Sequence, residues 1–157
     1  MDLSTLPATS LRVERSTPPA VNERIRSLTD AEILRLEAAD DQELAARLVE
    51  LDHEWDVERL LQVNASVLVL LGLALGATRD RRFLVLPAAV FSFFAQHALQ
   101  GWCPPIPMFR RLGVRTQREI ARERFAIKAL RGDFDGVTKA DAPASHRVRD
   151  ILKAVDT

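Results

Sequence analysis

Apolar residues along this chain are concentrated in one region and periodic on either side of it. From Leu60 to Thr78 and from Phe83 to Gln100 they run almost without interruption, and only Arg79-Asp80-Arg81-Arg82 separates the two runs. Each run is close to the roughly 20 residues, rising about 1.5 Å apiece, with which a helix crosses a bilayer core. Backbone polar groups in lipid must be satisfied within the segment, so the pattern predicts two helices folded into a hairpin with both ends on one side. Before the runs, Ile33, Leu34, Leu36, Leu44, Leu48 and Leu51 form a broken helical stripe, with an interruption expected at Asp40-Asp41. No Pro or Gly separates Asp52 from Glu58, so that helix is expected to run on into the first membrane segment. Ala121, Phe125 and Ala129 make a weaker stripe after the runs, and Val148, Ile151, Leu152 and Val155 make a last one.

Local signals set the boundaries. Thr29-Asp30-Ala31-Glu32 and Thr116-Gln117-Arg118-Glu119 both have capping-box spacing, in which a threonine hydroxyl and a glutamate each satisfy a free amide at a helix start. Gly132 is placed to end the second of these helices. Pro7, Pro18 and Pro19 lie among Ser, Thr and Arg, which reads as a disordered tail over residues 1–28. The fold expected is all-α: the tail, an acidic amphipathic segment over 29–58, a two-helix membrane hairpin over 59–105, a basic juxtamembrane helix within 106–135, and a C-terminal tail with a short helix over 136–157.

The net charge of zero hides strong segregation. From Thr29 to Glu58 there are eleven acidic residues against Arg35 and Arg47, whereas Arg110 to Arg131 carries seven Arg and one Lys against Glu119 and Glu123. A hairpin would put both segments on one membrane face, where the acidic one can dock on the basic one. Arg110, Arg111, Arg115, Arg118 and Arg122 are therefore candidates for contact either with anionic headgroups or with an acidic partner. Counting Lys and Arg near the spans places both termini in the cytoplasm, against the three Arg of the turn. Trp55 and Trp102 fall on the termini side, at the level where indole rings favour the interface.

Two features inside the spans bear on function. Gly72 and Gly76 make a GxxxG strip, with Ala88 and Ser92 a second small-residue strip; these serve either a homodimer or the packing of the two helices of one chain. Asn64, Gln96 and His97 share a depth near the termini face with Gln62 and Gln100, and Cys103 follows. The layer can be mutual hydrogen bonding or, less economically, a thiol or metal site needing two chains. A single cysteine excludes an internal disulfide framework, and it lies at a helix C-terminus, where the dipole raises a thiol pKa unless Arg110 and Arg111 offset it. No phosphate loop, catalytic triad, cofactor motif or secretory leader pattern is present, and the aromatic-poor basic helix does not fit nucleic acid.

The junction Gly101-Trp102-Cys103-Pro104-Pro105, followed by Arg110-Arg111-Leu112-Gly113-Val114-Arg115-Thr116, resembles the YgaP-like transmembrane domain family of bacterial inner membranes. Glu54 to Arg59, Asn64-Ala65-Ser66, Gln96 to Gln100 and Lys128 to Phe134 resemble its stand-alone form, over about residues 50 to 135. The resemblance implies an inner-membrane protein with cytoplasmic termini, dimeric through its helices. Residues 1–50 are too short for the rhodanese domain of the namesake architecture and hold no cysteine, so sulfurtransferase activity does not carry over. The leading expectation is a self-associating membrane anchor or scaffold with lipid and an unidentified protein as partners. The alternatives are a thiol- or metal-handling accessory built on Cys103 and a soluble helical interaction module.

Overall fold

The computed structural model describes residues 7–137 and 144–156, and among them every regular element is helical. After a 3-10 turn at Thr9–Leu11 come α1 (Arg12–Arg15), α2 (Pro19–Leu36), α3 (Asp41–His53) and α4 (Val57–Thr78). A second 3-10 turn, Arg81–Leu84, leads to α5 (Val85–Gln100), α6 (Ile106–Arg111), α7 (Gln117–Leu130) and α8 (Ala144–Asp156). The chain divides into two compact units, one of Met1–Ser27 with Trp55–Ile120 and one of Leu28–Glu54 with Ala121–Thr157.

Residues 7–28 correct the expectation of a disordered tail. Pro19 opens α2 because proline's fixed φ suits the first helical position and its missing amide is not needed there. The Pro18 carbonyl accepts from the amide of Asn22, so the two prolines start a helix. Val13, Thr17 and Ile25 are buried. Thr29 consequently lies inside α2 and caps nothing at its start. The interruption expected at Asp40-Asp41 is present: the Asp40 side chain accepts from the Glu43 amide at 2.8 Å and opens α3. A break where none was expected follows at Glu54, whose backbone is extended, and Asp56 then caps α4 by accepting from the Arg59 amide. An aspartate three residues before a free amide can start a helix without any Pro or Gly to stop the preceding one.

α4, and α5 taken together with the 3-10 turn that leads into it (Arg81–Gln100), are long and apolar enough to cross a membrane by length and composition. Only 17% of the most apolar stretch in the first and 11% of that in the second is buried. Val67, Leu70, Leu71 and Leu73 on α4, and Val85 and Phe91 on α5, are exposed. The glycine strip is occupied within the chain. A Cβ on Gly72 would lie 2.5 Å from Pro87 Cδ and 3.2 Å from Leu86 Cβ, and one on Gly76 would lie 2.5 Å from Leu84 Cδ2. Of the two readings of the strip, the structure shows packing within the chain: the space beside Gly76 is filled by Leu84 of the 3-10 turn and that beside Gly72 by Leu86 and Pro87 at the start of α5. Ala88 and Ser92 are exposed, and Ser92 Oγ donates to the Ala88 carbonyl of its own helix at 2.9 Å.

The two glycines should differ in tolerance. The proline ring beside Gly72 cannot swing away, whereas the atom nearest Gly76 is the tip of a flexible leucine. Gly72→Ala is expected to destabilise α4–α5 packing by about 1–3 kcal/mol despite the better helix propensity of alanine. Gly76→Ala should be close to neutral. Proteolysis at the exposed arginine turn, followed against detergent denaturant, measures the difference.

Candidate functional site

The polar residues of the first unit gather where α4 begins and α5 ends. Glu58, in the first turn of α4, accepts from Arg12 Nη2 at 2.7 Å on one oxygen and from His97 Nε2 at 2.9 Å on the other. An ionised carboxylate can only accept, so His97 carries its proton on Nε2. One acid thereby ties α1, α4 and α5 together. His97 is 2% exposed, and its Nδ1, like Arg12 Nε, has no hydrogen-bond partner among the described residues.

Gly101 closes α5. Its φ is +77°, the left-handed conformation that ends a helix, and its amide donates to the His97 carbonyl at 2.8 Å. Beyond it the chain passes so close to α1 that a Cβ on Gly101 would fall 2.3 Å from the Arg12 carbonyl carbon and oxygen. Ser16 Oγ donates to the Gln100 carbonyl beside it. Cys103 then turns into an apolar cluster with Val13, Val57, Leu61 and Ile106, with Phe94 and Val114 packed against it. Burial pushes the Cys103 thiol up from its ordinary range, which disfavours the thiolate that reacts or binds metal. The cysteine fits a packing role.

A second node sits on α6. Arg110 is 1% exposed and makes a two-pronged pair with Glu119, Nη1 to Oε2 at 2.6 Å and Nη2 to Oε1 at 2.7 Å. It also donates to the Val114 carbonyl and to Asn22 Oδ1. Glu119 is at the same time half of the expected capping box: it accepts from the Thr116 amide at 2.7 Å, and its own amide donates to Thr116 Oγ1 at 3.3 Å. Burial acts to raise the Glu119 pKa, and the bonds from Arg110 and Thr116 more than offset it, so the carboxyl is held below the usual carboxylate range.

In the second unit the acidic segment and the basic helix are joined by ion pairs. Arg47 on α3 meets the fully buried carboxylate of Glu123 on α7 at 2.8 Å, Arg122 meets Asp30 at 2.6 Å, and Arg124 meets Asp52. Leu36, Leu44, Leu48, Leu51 and Ile127 are buried, so the stripe packs inward from Leu36 onward, whereas Leu34 is exposed. α7 ends as expected, with the amides of Gly132 and Asp133 bonding back to the carbonyls of Ala129 and Lys128. The pairs are unequal in worth. Arg47→Ala strips a partner from a buried carboxylate and is expected to cost about 3 kcal/mol, whereas Arg122→Ala, at an exposed pair, should cost less than about 1 kcal/mol. Urea titration of both variants checks the contrast.

Comparison with family models, with curated proteins and with solved structures gives no match. The reading of the site therefore rests on its geometry.

That geometry disperses the expected polar layer. Of Asn64, Gln96, His97 and Cys103, only His97 enters the Glu58 network. Asn64 is exposed, off the inward line of Val57, Leu61 and Gly72. Gln96 reaches only Gln100, one turn on, at 3.5 Å. Equal depth in a helix pair does not give equal facing, because residues a few positions apart point in different directions. No group of three or more metal-ligating side chains exists among the described residues. The candidate lipid-contacting arginines are redistributed too: Arg110 is internal, Arg118 pairs with Glu14 at 3.2 Å, Arg122 pairs with Asp30, and Arg115 is buried with its backbone carbonyl accepting from the Val57 amide. Arg111, Arg118 and Arg122 are exposed. Arg110 is therefore internal, which corrects its reading as a headgroup contact, while Arg118 and Arg122 pair with acidic residues of the same chain and stay exposed. Arg12, Asn22 and Glu58 were not singled out in the sequence; Arg12 and Asn22 lie in the segment that reads as a tail, and Glu58 is one acid among eleven. His53 is exposed, and the side chain of His146 lies outside the described residues.

Proposed function

We propose that this protein is a small membrane anchor in which α4 and α5 cross the bilayer as a helical hairpin. The observation that carries the reading is the exposure of the two longest apolar helices. A core helix of a soluble bundle passes the same length and composition test but is mostly buried, and these are not. Leaving Val67, Leu70, Val85 and Phe91 against water would put a large apolar patch on the surface, of the kind that marks a membrane or partner.

Two further features support it. Trp55 and Trp102 flank the helices at the end away from the arginine turn and are partly exposed, with Arg59 stacked 4.4 Å over Trp55 and Phe93 edge-on to Trp102. Such rings suit the headgroup level. The acidic and basic residues of α4, Glu58 and Arg59, both lie in its first turn, and α5 carries no Asp, Glu, Lys or Arg. With both termini in the cytoplasm, as the Lys and Arg balance favours, the ion-paired helices would face the cytoplasm as a scaffold. Placement in a bacterial inner membrane rests on the resemblance of the Gly101 to Pro105 junction and Arg110 to Thr116. Burial of Cys103 among aliphatic side chains weighs against the thiol- or metal-handling alternative.

Carbonate extraction of membranes from cells expressing the full chain tests the anchor directly. Retention in the pellet is the expected outcome; release into the carbonate supernatant would favour the soluble interaction module.

A further inference from the structure

α4 returns to α5 through a turn whose positive charge the fold leaves unspent. Arg79, Asp80, Arg81 and Arg82 are all exposed, between two helices of the same compact unit. Asp80 is engaged on the backbone: its Oδ1 accepts from the Arg82 amide at 2.8 Å, and its carbonyl accepts from the Phe83 amide at 3.0 Å. Its other carboxylate oxygen lies 3.9 Å from Arg82 Nε, and the Arg82 side chain is 93% exposed. Arg79 and Arg81 have no side-chain hydrogen bond or ion pair among the described residues. Elsewhere in this unit arginine is treated differently: Arg12, Arg110 and Arg118 each meet a glutamate. Directly after the arginines come Phe83, Leu84 and Val85, which are exposed as well. Cationic and apolar surface therefore adjoin at this end of the two helices.

We propose that the turn binds the phosphate groups of anionic phospholipid through Arg79, Arg81 and Arg82. The proposal rests on the anchor reading above, which puts this turn at a membrane face whichever way the hairpin is oriented. A guanidinium presents paired donors that match phosphate oxygens, and its charge is permanent. Its aliphatic stem can lie along exposed apolar residues while its head reaches the headgroup layer. Three arginines against one aspartate leave the turn net positive. A lipid of net negative charge is therefore preferred over phosphatidylcholine, whose choline cancels its phosphate. An acidic protein segment is a poorer occupant, because it would answer the charge and leave Phe83, Leu84 and Val85 against water.

The test uses the full chain in a Cys103→Ala background, reconstituted in vesicles of mixed phosphatidylglycerol and phosphatidylcholine, with one or the other brominated. A fluorophore is placed at Ala77→Cys beside the turn or at Leu71→Cys in α4, and the relative affinity of the two lipids is read from quenching. At position 77 we expect phosphatidylglycerol to be preferred about fivefold, the worth of roughly one cationic contact. With Arg79→Gln, Arg81→Gln and Arg82→Gln together the preference should vanish while quenching at 71 stays unchanged. Strong quenching at both positions by the two lipids alike, or a preference that survives the triple substitution, would overturn the inference and leave the anchor intact. Weak quenching at both positions would overturn both. A polyglutamate peptide that shifts emission at 77 in the wild-type turn and not in the triple variant, without any lipid preference, would overturn it in favour of an acidic protein partner.

Discussion

Gly101→Ala is expected to detach the segment around α1 from the ends of α4 and α5. Two costs combine there. The left-handed φ of +77° is unfavourable for any residue with a Cβ, and that Cβ would sit 2.3 Å from the backbone of Arg12, which has no flexible tip to move aside. Strain and overpacking together amount to about 2–5 kcal/mol. Gly113→Ala separates the two terms. Its φ is +90°, yet nothing lies within 4 Å of the added carbon, so only the conformational cost of roughly 1 kcal/mol applies. The readout is trypsin cleavage at Arg12 and Arg15: fast in Gly101→Ala, near wild type in Gly113→Ala. Similar rates in the two variants would show that the close approach to Arg12 is unimportant.

Arg110→Met is expected to be the most damaging change outside the apolar helices. It removes both prongs of the pair with Glu119, together with the donors to Asn22 and the Val114 carbonyl, and leaves a part-buried carboxylate with only Thr116 to satisfy it. Breaking a buried pair from one side costs about 3–5 kcal/mol. Replacing both partners, as Arg110→Met with Glu119→Gln, should restore part of that loss because no uncompensated charge remains. The same pair predicts a pH dependence. The folded-state pKa of Glu119 is depressed, so its stabilisation is fully present above the ordinary carboxylate pKa of about 4.3 and is lost as pH falls through the lower folded value. Denaturation midpoints measured from neutral to acid pH should fall less steeply in Glu119→Gln than in the wild type. An acid limb unchanged by that substitution would remove Glu119 from the account.

What the sequence disclosed and what it hid divide along local and long-range lines. Thr116 with Glu119, and Gly132 at the end of α7, are settled by residues within a turn of each other, and both are found as the spacing predicts. The apolar helices are legible because composition alone marks them. The charge segregation pointed to acidic and basic segments meeting, although it could not say which arginine meets which acid. Arg110 was read as a surface cation because it stands in an arginine-rich run; its burial depends on Asn22 and Glu119 converging on it from two other elements. Arg12 reaches Glu58 across 46 positions of sequence, and nothing in a Pro-, Ser- and Arg-containing stretch announces that contact. Gly72 and Gly76 had two readings with the same local pattern, and only the position of Pro87 and Leu84 separates them.

The central claim is that α4 and α5 cross a membrane with the arginine turn on one side and the charged helices on the other. Accessibility of single cysteines to a membrane-impermeant thiol reagent tests it most directly, with Asp80→Cys in the turn and Gln117→Cys at the start of α7, each in a Cys103→Ala background. The account predicts labelling at position 80 from outside intact spheroplasts and at position 117 only in inverted vesicles. Labelling of both positions from the same side would contradict it.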